Sequence, residues 1–477
     1  MRIIKGFIWK AVQQYSTYFI KLIFQIVLAR ILSASEFGLV AEMLVYIAVA
    51  EAFANGGFGT ALTQKKNADS DDFATTTIAG LAISIFLYVV IFIAAPYIGN
   101  YYGEPELPKL LRIYGIAIPF CTVGSIQNAY VIKRFETKKL FVCSFISNLL
   151  AGVFAIILAY AGYGALSLVV QSVMSSVLSV VILQFLIRSR LKIAFSAHSF
   201  KTLFAFSWKL VLSGVLGNII ENMYNLIIGK HYGTETLGYY NRGNSFPNMI
   251  VGQLRSAVGA MTLPLFSNLQ EDKRKLFASV KLATHLSVLI MFPMATGLAA
   301  VAEPLISLLL GDKWLPCLFF LRVECIFYGM LPIASSLSNA LISIGRSKLA
   351  LIVECIKLAL SIVVVMFAKN ITVELLCVIR CAISIVIIVI MTICSQRLIG
   401  YGLTELIKDI RGPLVLSVVM GATVYGVLTL MPFNNLLKLA LGIILGVGVY
   451  GVGCIIFMRE DWVMIKSWVV RVFNGNE

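Results

Sequence analysis

The chain has 477 residues, of which 59% are hydrophobic and 13% are charged, and its mean hydropathy is +0.91. A soluble domain carries about 25% charged residues, so water cannot be the solvent for most of this surface. The net charge of +16 does not indicate nucleic-acid binding, because the lysines and arginines lie mainly in short links between apolar runs. Composition therefore predicts an all-α integral membrane protein with no nucleic-acid partner.

The apolar runs are about 20 residues long and lack the alternation of barrel strands. Backbone groups in lipid must be satisfied within the protein, so these runs predict spanning helices. We predict about 14 of them, over residues 7–30, 38–62, 76–98, 108–132, 141–161, 164–187, 203–229, 242–266, 280–301, 316–344, 348–368, 371–395, 412–431 and 436–458. Between the twelfth and thirteenth helices, residues 403–410 fit either a short interfacial helix or a solvated loop.

The pattern of polar residues and glycines that bounds the apolar segments repeats after about 200 residues. The first apolar segment begins at Trp9-Lys10 and is followed by Arg30, Glu36 and Gly38; a later one begins at Trp208-Lys209 and is followed by Lys230, Glu235 and Gly238. The repeat predicts two similar bundles in tandem, a layout typical of transporters with a substrate path between the halves. The predicted domains are a six-helix bundle over 1–200, a second over 201–396, and an interfacial segment with two additional helices over 397–477.

The basic residues of the links predict the orientation. With the N-terminus in the cytoplasm, roughly 23 basic residues fall on the cytoplasmic side and about seven on the other. Both termini are therefore expected in the cytoplasm. Six helices are an even number, so the two bundles have the same orientation and a pseudo-two-fold axis along the membrane normal.

The first helix has a polar face that is unusual for a membrane span. Its members are Lys10, Gln13, Gln14, Lys21 and Gln25. Extension of the side chain to the membrane edge explains Lys10 but not Lys21, which lies well inside the helix. We therefore interpret this face, with Lys21 and Gln25 as substrate-binding candidates, as the wall of a polar cavity.

The seventh helix carries a second polar stripe, with Asn218, Glu221, Asn222 and Asn225 at the spacing of one helix face. Hydrogen bonding between helices is the structural alternative. Four such groups exceed what helix association needs, so we predict a wall that binds sugar or an ion. Asn218, Asn222 and Asn225 are the substrate-binding candidates, and Glu221 is an ion-coupling candidate.

Further charged residues lie inside predicted spans. Arg255 is the best single candidate for an anion contact, because guanidinium forms bidentate bonds to phosphate and stays protonated. Glu42 and Glu51 are candidates for proton or cation sites. Arg322 and Glu324 belong to the same set of charges within spans, and placement at the membrane interface is the alternative for both because they fall near a helix end. Glu354 and Lys357 are three apart and are expected to pair.

No catalytic motif or metal-ligand spacing is found in the sequence, so we expect no enzyme activity, no metal and no cofactor. The nine cysteines lack CxxC spacing and are read as small buried hydrophobes. Energy for transport must then come from the substrate gradient or from coupling to a Na⁺ or H⁺ gradient.

Five short segments form a recognisable pattern: residues 28–40, 53–62, 225–233, 237–242 and 264–270. They resemble the polysaccharide transporter family, the O-antigen and exopolysaccharide (colanic-acid-type) flippases of the multidrug/oligosaccharidyl-lipid/polysaccharide exporter superfamily. The resemblance implies two six-helix bundles around a central cavity plus a C-terminal helix pair. It implies a flippase in the cytoplasmic (inner) membrane that moves an undecaprenyl-diphosphate-linked glycan by alternating access for surface polysaccharide biosynthesis. Membrane lipids, a polysaccharide polymerase and the export machinery are the partners it implies.

The glycines of these motifs (Gly38, Gly57, Gly59 and Gly238) are interpreted as helix-packing positions rather than ligands. The nearest alternatives are a lipid II flippase or a cation-coupled drug antiporter of the same superfamily. A drug antiporter is expected to have acidic groups in its cavity, whereas Lys21 and Arg255 favour an anionic substrate. A membrane polysaccharide polymerase or ligase is a further alternative, which the short outward links disfavour.

Overall fold

The computed structural model describes residues 2–55, 58–64, 69–134, 136–187 and 195–458, and these residues form helices joined by short links, without β-strands. They fall into two compact units, Met1–Gly238 (unit 1) and Tyr239–Glu477 (unit 2). Because the backbone hydrogen bonds of each helix are closed within it, this architecture meets the demand that lipid places on a spanning segment.

Unit 1 contains eight helices and most of a ninth within the described residues. They are α1 Arg2–Ile31, α2 Ala34–Asn55, α3 Phe58–Gln64, α4 Ser70–Tyr102, α5 Leu107–Gly115, α6 Ala117–Lys133, α7 Thr137–Tyr160, α8 Ala165–Ile187 and α9 Ala197–Pro247, which continues into unit 2. Helix α1 packs along α7, and α7 packs along α8.

Unit 2 contains the remaining described helices, which follow a π-helical turn at Asn248–Gly252. They are α10 Gln253–Asn268, α11 Lys273–Ala300, α12 Ala302–Leu309, α13 Leu318–Ser343, α14 Ser347–Met366, α15 Val373–Ile399, α16 Leu403–Leu430 and α17 Asn435–Phe457. Its core lies among α10, α11, α13 and α15, with Phe266, Val288, Leu337 and Met391 among its buried members.

Eleven described helical segments are long and apolar enough to cross a membrane. Each of the 14 predicted spans coincides with helix, but α1, α9 and α10, which match the first, seventh and eighth spans, fall outside those eleven. These three have the most polar sequences of the set. The multi-pass helical fold is thus confirmed, whereas the count of 14 stays a prediction.

The segment 403–410 is helical, but it is not a separate interfacial helix. It forms the first turns of α16, which continues without a break to Leu430. The Glu405 carboxylate accepts a hydrogen bond from the Gly402 backbone at 3.1 Å and caps the start of the helix. Asp409 is buried and accepts a hydrogen bond from the Tyr401 hydroxyl at 2.9 Å. The segment also packs on the rest of unit 2: Leu406 belongs to its buried core, and the Lys281 ammonium lies 3.7 Å from the Asp409 carboxylate.

Helix α17 shows that lipid is the solvent of unit 2. It buries Gly442, Gly446 and Gly453, while Ile444 and Val447 are 69% and 72% exposed. In water this pattern would be inverted. In a bilayer, glycines allow close helix packing and branched apolar side chains face acyl tails.

The helical backbone is interrupted at Ser33, between α1 and α2, and again 200 residues later, at Gly233 within α9. Gly233 has φ 86° and ψ 165°, so α9 is two helical segments joined at this residue. The two breaks fall at matching positions of the sequence repeat. The symmetry of the whole chain remains a prediction.

Two glycines at matching repeat positions pack reciprocally beside these breaks. A Cβ on Gly38 would overlap the carbonyl of Thr234, and a Cβ on Gly238 would overlap the carbonyl of Ala34. The hydroxyls of Ser35 and Thr234 lie 3.1 Å apart in the same crossing. The packing interpretation of Gly38 and Gly238 is therefore confirmed, while Gly57 lies outside the described residues.

The orientation can be tested with α4, whose 33 residues span about 48 Å. Asp71 and Glu106, at opposite ends, are both exposed. We expect a membrane-impermeant thiol reagent to label Glu106→Cys in intact cells and Asp71→Cys only after permeabilisation. The unsubstituted chain corrects for its native cysteines. The reverse labelling pattern would contradict cytoplasmic termini.

Candidate functional site

Unit 1 encloses a polar cavity of about 550 Å³, a size within the range of small-molecule sites. Residues of α1, α3, α6, α7 and α8 line it. The polar members of the wall are Lys21, Thr63, Cys121, Ser125, Asn128, Ser144, Ser147, Asn148, Ser175, Ser176 and Ser179. Such a concentration of polar groups inside a membrane bundle marks a place where solute or water replaces lipid.

The wall follows helix geometry. Ser144, Ser147 and Asn148 share one face of α7, and Ser175, Ser176 and Ser179 share one face of α8. The two faces are joined where the Ser175 hydroxyl donates to Asn148 Oδ1 at 3.2 Å.

Several serines donate to carbonyls of their own helix, as Ser144 does to Leu140 at 2.8 Å and Ser176 to Ser172 at 3.0 Å. A hydroxyl has one donor and two acceptor lone pairs, so each of these oxygens can still accept a hydrogen bond from a ligand. The wall therefore offers many weak, adaptable polar contacts, which suits hydroxyl-rich solutes.

Lys21 is the one charged side chain among the described residues that line the cavity. It is accessible from the cavity and lies within electrostatic reach of Glu51 on α2 and Cys121 on α6. The Glu51 carboxyl accepts a hydrogen bond from the Cys121 thiol. This arrangement places a positive charge where a bound anion would meet it, with an acid beside it as counter-ion.

The rest of the polar face of α1 serves different purposes. Gln13 donates from Nε2 to Ser144 Oγ at 3.0 Å and so connects α1 to α7. Gln25 is half-buried and is not among the described residues that line the cavity. The side chain of Lys10 lies outside the described residues. Of the predicted face, Lys21 is the member at the cavity.

The polar stripe of α9 forms a hydrogen-bonded chain along its own helix. Asn222 Nδ2 donates to the Asn218 carbonyl at 2.9 Å, and Asn225 Nδ2 donates to Asn222 Oδ1 at 3.2 Å. Glu221 is exposed. None of the four is among the described residues of the cavity wall, so their roles in substrate binding and ion coupling stay predictions. The Arg255 side chain lies outside the described residues, and its anion contact likewise stays a prediction.

The two acids of α2 lie in different environments. Glu51 is half-buried beside the cavity, next to Lys21. Glu42 is fully buried where α2 crosses α9, and its Oε1 lies against Gly229. The residues of α2 thus place one acid at the polar cavity and the other in a packed helix interface.

In unit 2, Glu324 is buried inside the protein rather than at its surface. Glu324 is 1% exposed and forms an ion pair with Arg380 at 2.5 Å. Arg380 also donates to the Tyr240 hydroxyl, and its guanidinium lies 4.0 Å from the centre of the Phe327 ring. A position near a helix end therefore does not by itself bring a charge to water, because here a partner on α15 keeps the carboxylate buried. The expected pair of Glu354 and Lys357 is confirmed, at 3.5 Å.

Sequence reasoning missed the serine wall and Arg380. Serine scarcely lowers the hydropathy of a span, so the stripe on α8 gives only a spacing signal. Arg380 is a lone cation in an apolar run, which by itself indicates a buried partner. The partner, 56 residues away, becomes visible only in the fold.

Comparison with known proteins agrees with the sequence motifs. The succinoglycan biosynthesis transport protein ExoT of Rhizobium meliloti (strain 1021) is 28% identical over 309 residues, covering 64% of this chain and 62% of ExoT. The chain thus matches less than two thirds of that relative's length. The teichuronic acid biosynthesis protein TuaB of Bacillus subtilis (strain 168) is 23% identical over 363 residues, 73% of each chain.

A solved structure of the lipid II flippase MurJ, in an inward closed conformation, superposes with a TM-score of 0.73 over 95% of this chain and 99% of that one, at 17% identity. At that identity the likeness shows the fold. The sequence model of the family described as polysaccharide biosynthesis protein matches residues 27–319, more than half of the chain. The chain therefore belongs to the polysaccharide biosynthesis protein family, and the resemblance of its motifs to polysaccharide transporters is confirmed.

Proposed function

We propose that this chain is a flippase that moves an undecaprenyl-diphosphate-linked oligosaccharide across the cytoplasmic membrane by alternating access. The observation that carries the proposal is the cavity of unit 1, where one lysine stands among hydroxyl and amide groups. A diphosphate needs a cationic partner, and a glycan needs hydrogen-bonding groups that replace lost water. The long lipid tail can stay in the bilayer while the head group crosses.

The function of the relatives supports the same substrate class. ExoT is named as a transport protein of succinoglycan biosynthesis, and TuaB as a protein of teichuronic acid biosynthesis. On this proposal the chain is a transport protein rather than an enzyme, and both termini are cytoplasmic. A polysaccharide polymerase and export machinery would act after it on the delivered glycan.

The charge of the cavity separates this proposal from a drug antiporter. A cationic drug requires acidic groups at its binding site, whereas the charged group among the described lining residues is Lys21. The lipid II flippase alternative shares the diphosphate and differs in the glycan. Transport of the two lipid-linked glycans in one assay therefore distinguishes them.

The proposal is tested with purified protein in liposomes that contain the lipid-linked repeat unit of the producing strain. Flipping is measured as glycan that becomes accessible to an impermeant glycosidase. We expect Ser176→Trp, which places an indole ring in the cavity, to slow flipping about tenfold, because the ring occupies space that the ligand would need.

The matched control is Val181→Trp, which adds the same bulk to α8 at a side chain that is 41% exposed. It should flip at the unsubstituted rate. Wild-type rates equal to those of protein-free liposomes would refute the flippase proposal, and equal rates for the two tryptophan variants would refute the role of the cavity.

A further inference from the structure

Unit 1 buries an acid that the cavity does not use. Glu42 has no exposed surface, and neither of its carboxyl oxygens has a hydrogen-bond partner in the described part of the chain. A Cβ at position 229 would overlap the carboxyl, so α9 approaches it as closely as a glycine allows. The acid is held in the contact between two helices.

The ionisable groups near Glu42 come from α2 itself, from the C-terminal end of α4 with the turn after it, and from α9. Tyr46 lies on its own helix, Tyr102 at the end of α4, Glu104 in the turn after α4, and Lys230 on α9. Helices α5, α6 and α8 also pack on α2, and their described residues add no ionisable group to this set. Among the described residues, the charged groups coupled to Glu42 are thus one acid, Glu104, and one cation, Lys230.

The Lys230 ammonium contacts groups other than Glu42. Lys230 donates to the Tyr101 carbonyl, and its ammonium lies 4.0 Å from the centre of the Tyr101 ring. Among the described residues, no ion pair within 4.0 Å joins Lys230 to Glu42. Glu104 accepts a hydrogen bond from Thr234 at 3.1 Å. Glu42 therefore lacks the partners that would keep a buried carboxylate ionised.

A buried carboxylate without hydrogen bonds or a paired cation is so costly that such a group takes up a proton instead. A metal ion would need several oxygen ligands around it. Gly229 already touches the carboxyl, and the described residues contain no cluster of three acidic, histidine or cysteine side chains able to hold a metal. The site fits a proton and has no room for a hydrated cation.

The same interface contains the reciprocal contacts of Gly38 with Thr234 and of Gly238 with Ala34. At these glycines the helices leave no room even for a methyl group. Ionisation of Glu42 would demand water or a counter-ion, and either requires the helices to move apart. Lys230 is the nearest cation that could then pair with it.

We propose that Glu42 is a proton-binding site that controls the crossing of α2 and α9. The protonated acid packs against Gly229 and holds the helices together; transfer of its proton to water leaves a carboxylate that separates them. The inference rests on the proposed function in assigning this step to flipping: it makes the proton the coupling ion.

The test uses Ser35→Cys combined with Thr234→Cys, whose parent hydroxyls lie 3.1 Å apart in the crossing. Disulfide yield in membrane vesicles, measured by mass spectrometry of the linked peptide, reports closed helices. The disulfide yield is measured at about pH 5.5 and at about pH 8, in the cysteine pair with Glu42 and in the cysteine pair with Glu42→Gln. As the pH rises, we expect the yield with Glu42 to fall about threefold relative to the yield with Glu42→Gln. Thiol oxidation accelerates with pH, so chemistry alone would raise the yield.

The matched control is Glu51→Gln, the same substitution on the same helix, which should keep the fall. Equal pH profiles with Glu42 and with Glu42→Gln would overturn the proposal. The proposal would also be overturned if the cysteine pair carrying Glu42→Gln failed to cross-link at every pH. It would equally be overturned if the cross-linking yield depended on the sodium concentration instead of the pH. No glycan is present, so the result stands independently of the flippase assay.

Discussion

Replacing Lys21 by methionine should lower the flipping rate about 100-fold, because the cavity loses the one charged group among its described lining residues. A hydrogen bond to a charged group contributes about 1.5–3 kcal/mol, and each 1.4 kcal/mol changes a rate about tenfold. Methionine keeps most of the side-chain volume, so the loss reports charge rather than shape. The measurement is glycosidase access to the flipped glycan in liposomes.

Two further variants show whether the charge acts on the substrate. Lys21→Arg keeps the cation and should flip within about threefold of the unsubstituted rate. Gln25→Met, one helical turn away on α1 and outside the described cavity wall, should be close to wild type. If Lys21→Met flips as fast as Gln25→Met, the anion contact is wrong.

Glu51 allows a second check on the same site. It lies within electrostatic reach of Lys21 behind the cavity wall, so the methionine variant leaves an acid near the cavity without its cation. That acid would repel a diphosphate. Combining Lys21→Met with Glu51→Gln should therefore restore part of the lost rate, which a purely structural role of Lys21 would not produce.

The sequence predicted the fold well because lipid imposes strong rules on composition. Continuous apolar runs and the placement of basic residues suffice for a multi-pass helical bundle. Close helix packing was also readable: Gly38 and Gly238 were assigned to packing, and both lie within overlap distance of a neighbouring backbone.

The site was only partly predictable. Lys21 stood out because a charge deep in a span is costly, and it lies at the cavity. Asn222 and Asn225 gave an equally clear stripe, yet they bond along their own helix. Spacing alone shows which residues share a face; it does not show what that face meets. The serines of α8 do line the cavity, but the sequence did not reveal them, because serine changes the hydropathy of a span very little.

The buried pair in unit 2 gives the strongest test of stability. Arg380→Met should cost about 3–5 kcal/mol of folding free energy. The reason is that the Glu324 carboxylate, which is 1% exposed, loses its cationic partner. Combining it with Glu324→Gln removes the orphaned charge and should recover most of the loss. Unfolding of the purified chain in one detergent measures all four members of this double-mutant cycle.

The matched control is the exposed pair of Glu354 and Lys357, also within a helix of unit 2. Lys357→Met should cost less than Arg380→Met, because the Glu354 side chain is 48% exposed and is not enclosed by protein when its partner is removed. If Arg380→Met and its combination with Glu324→Gln were equally destabilised, the loss would come from the contacts of Arg380 with Tyr240 and Phe327. Recovery in the double variant instead would identify the cost as that of an unpaired acid, and would explain why the apolar interior of α15 retains an arginine.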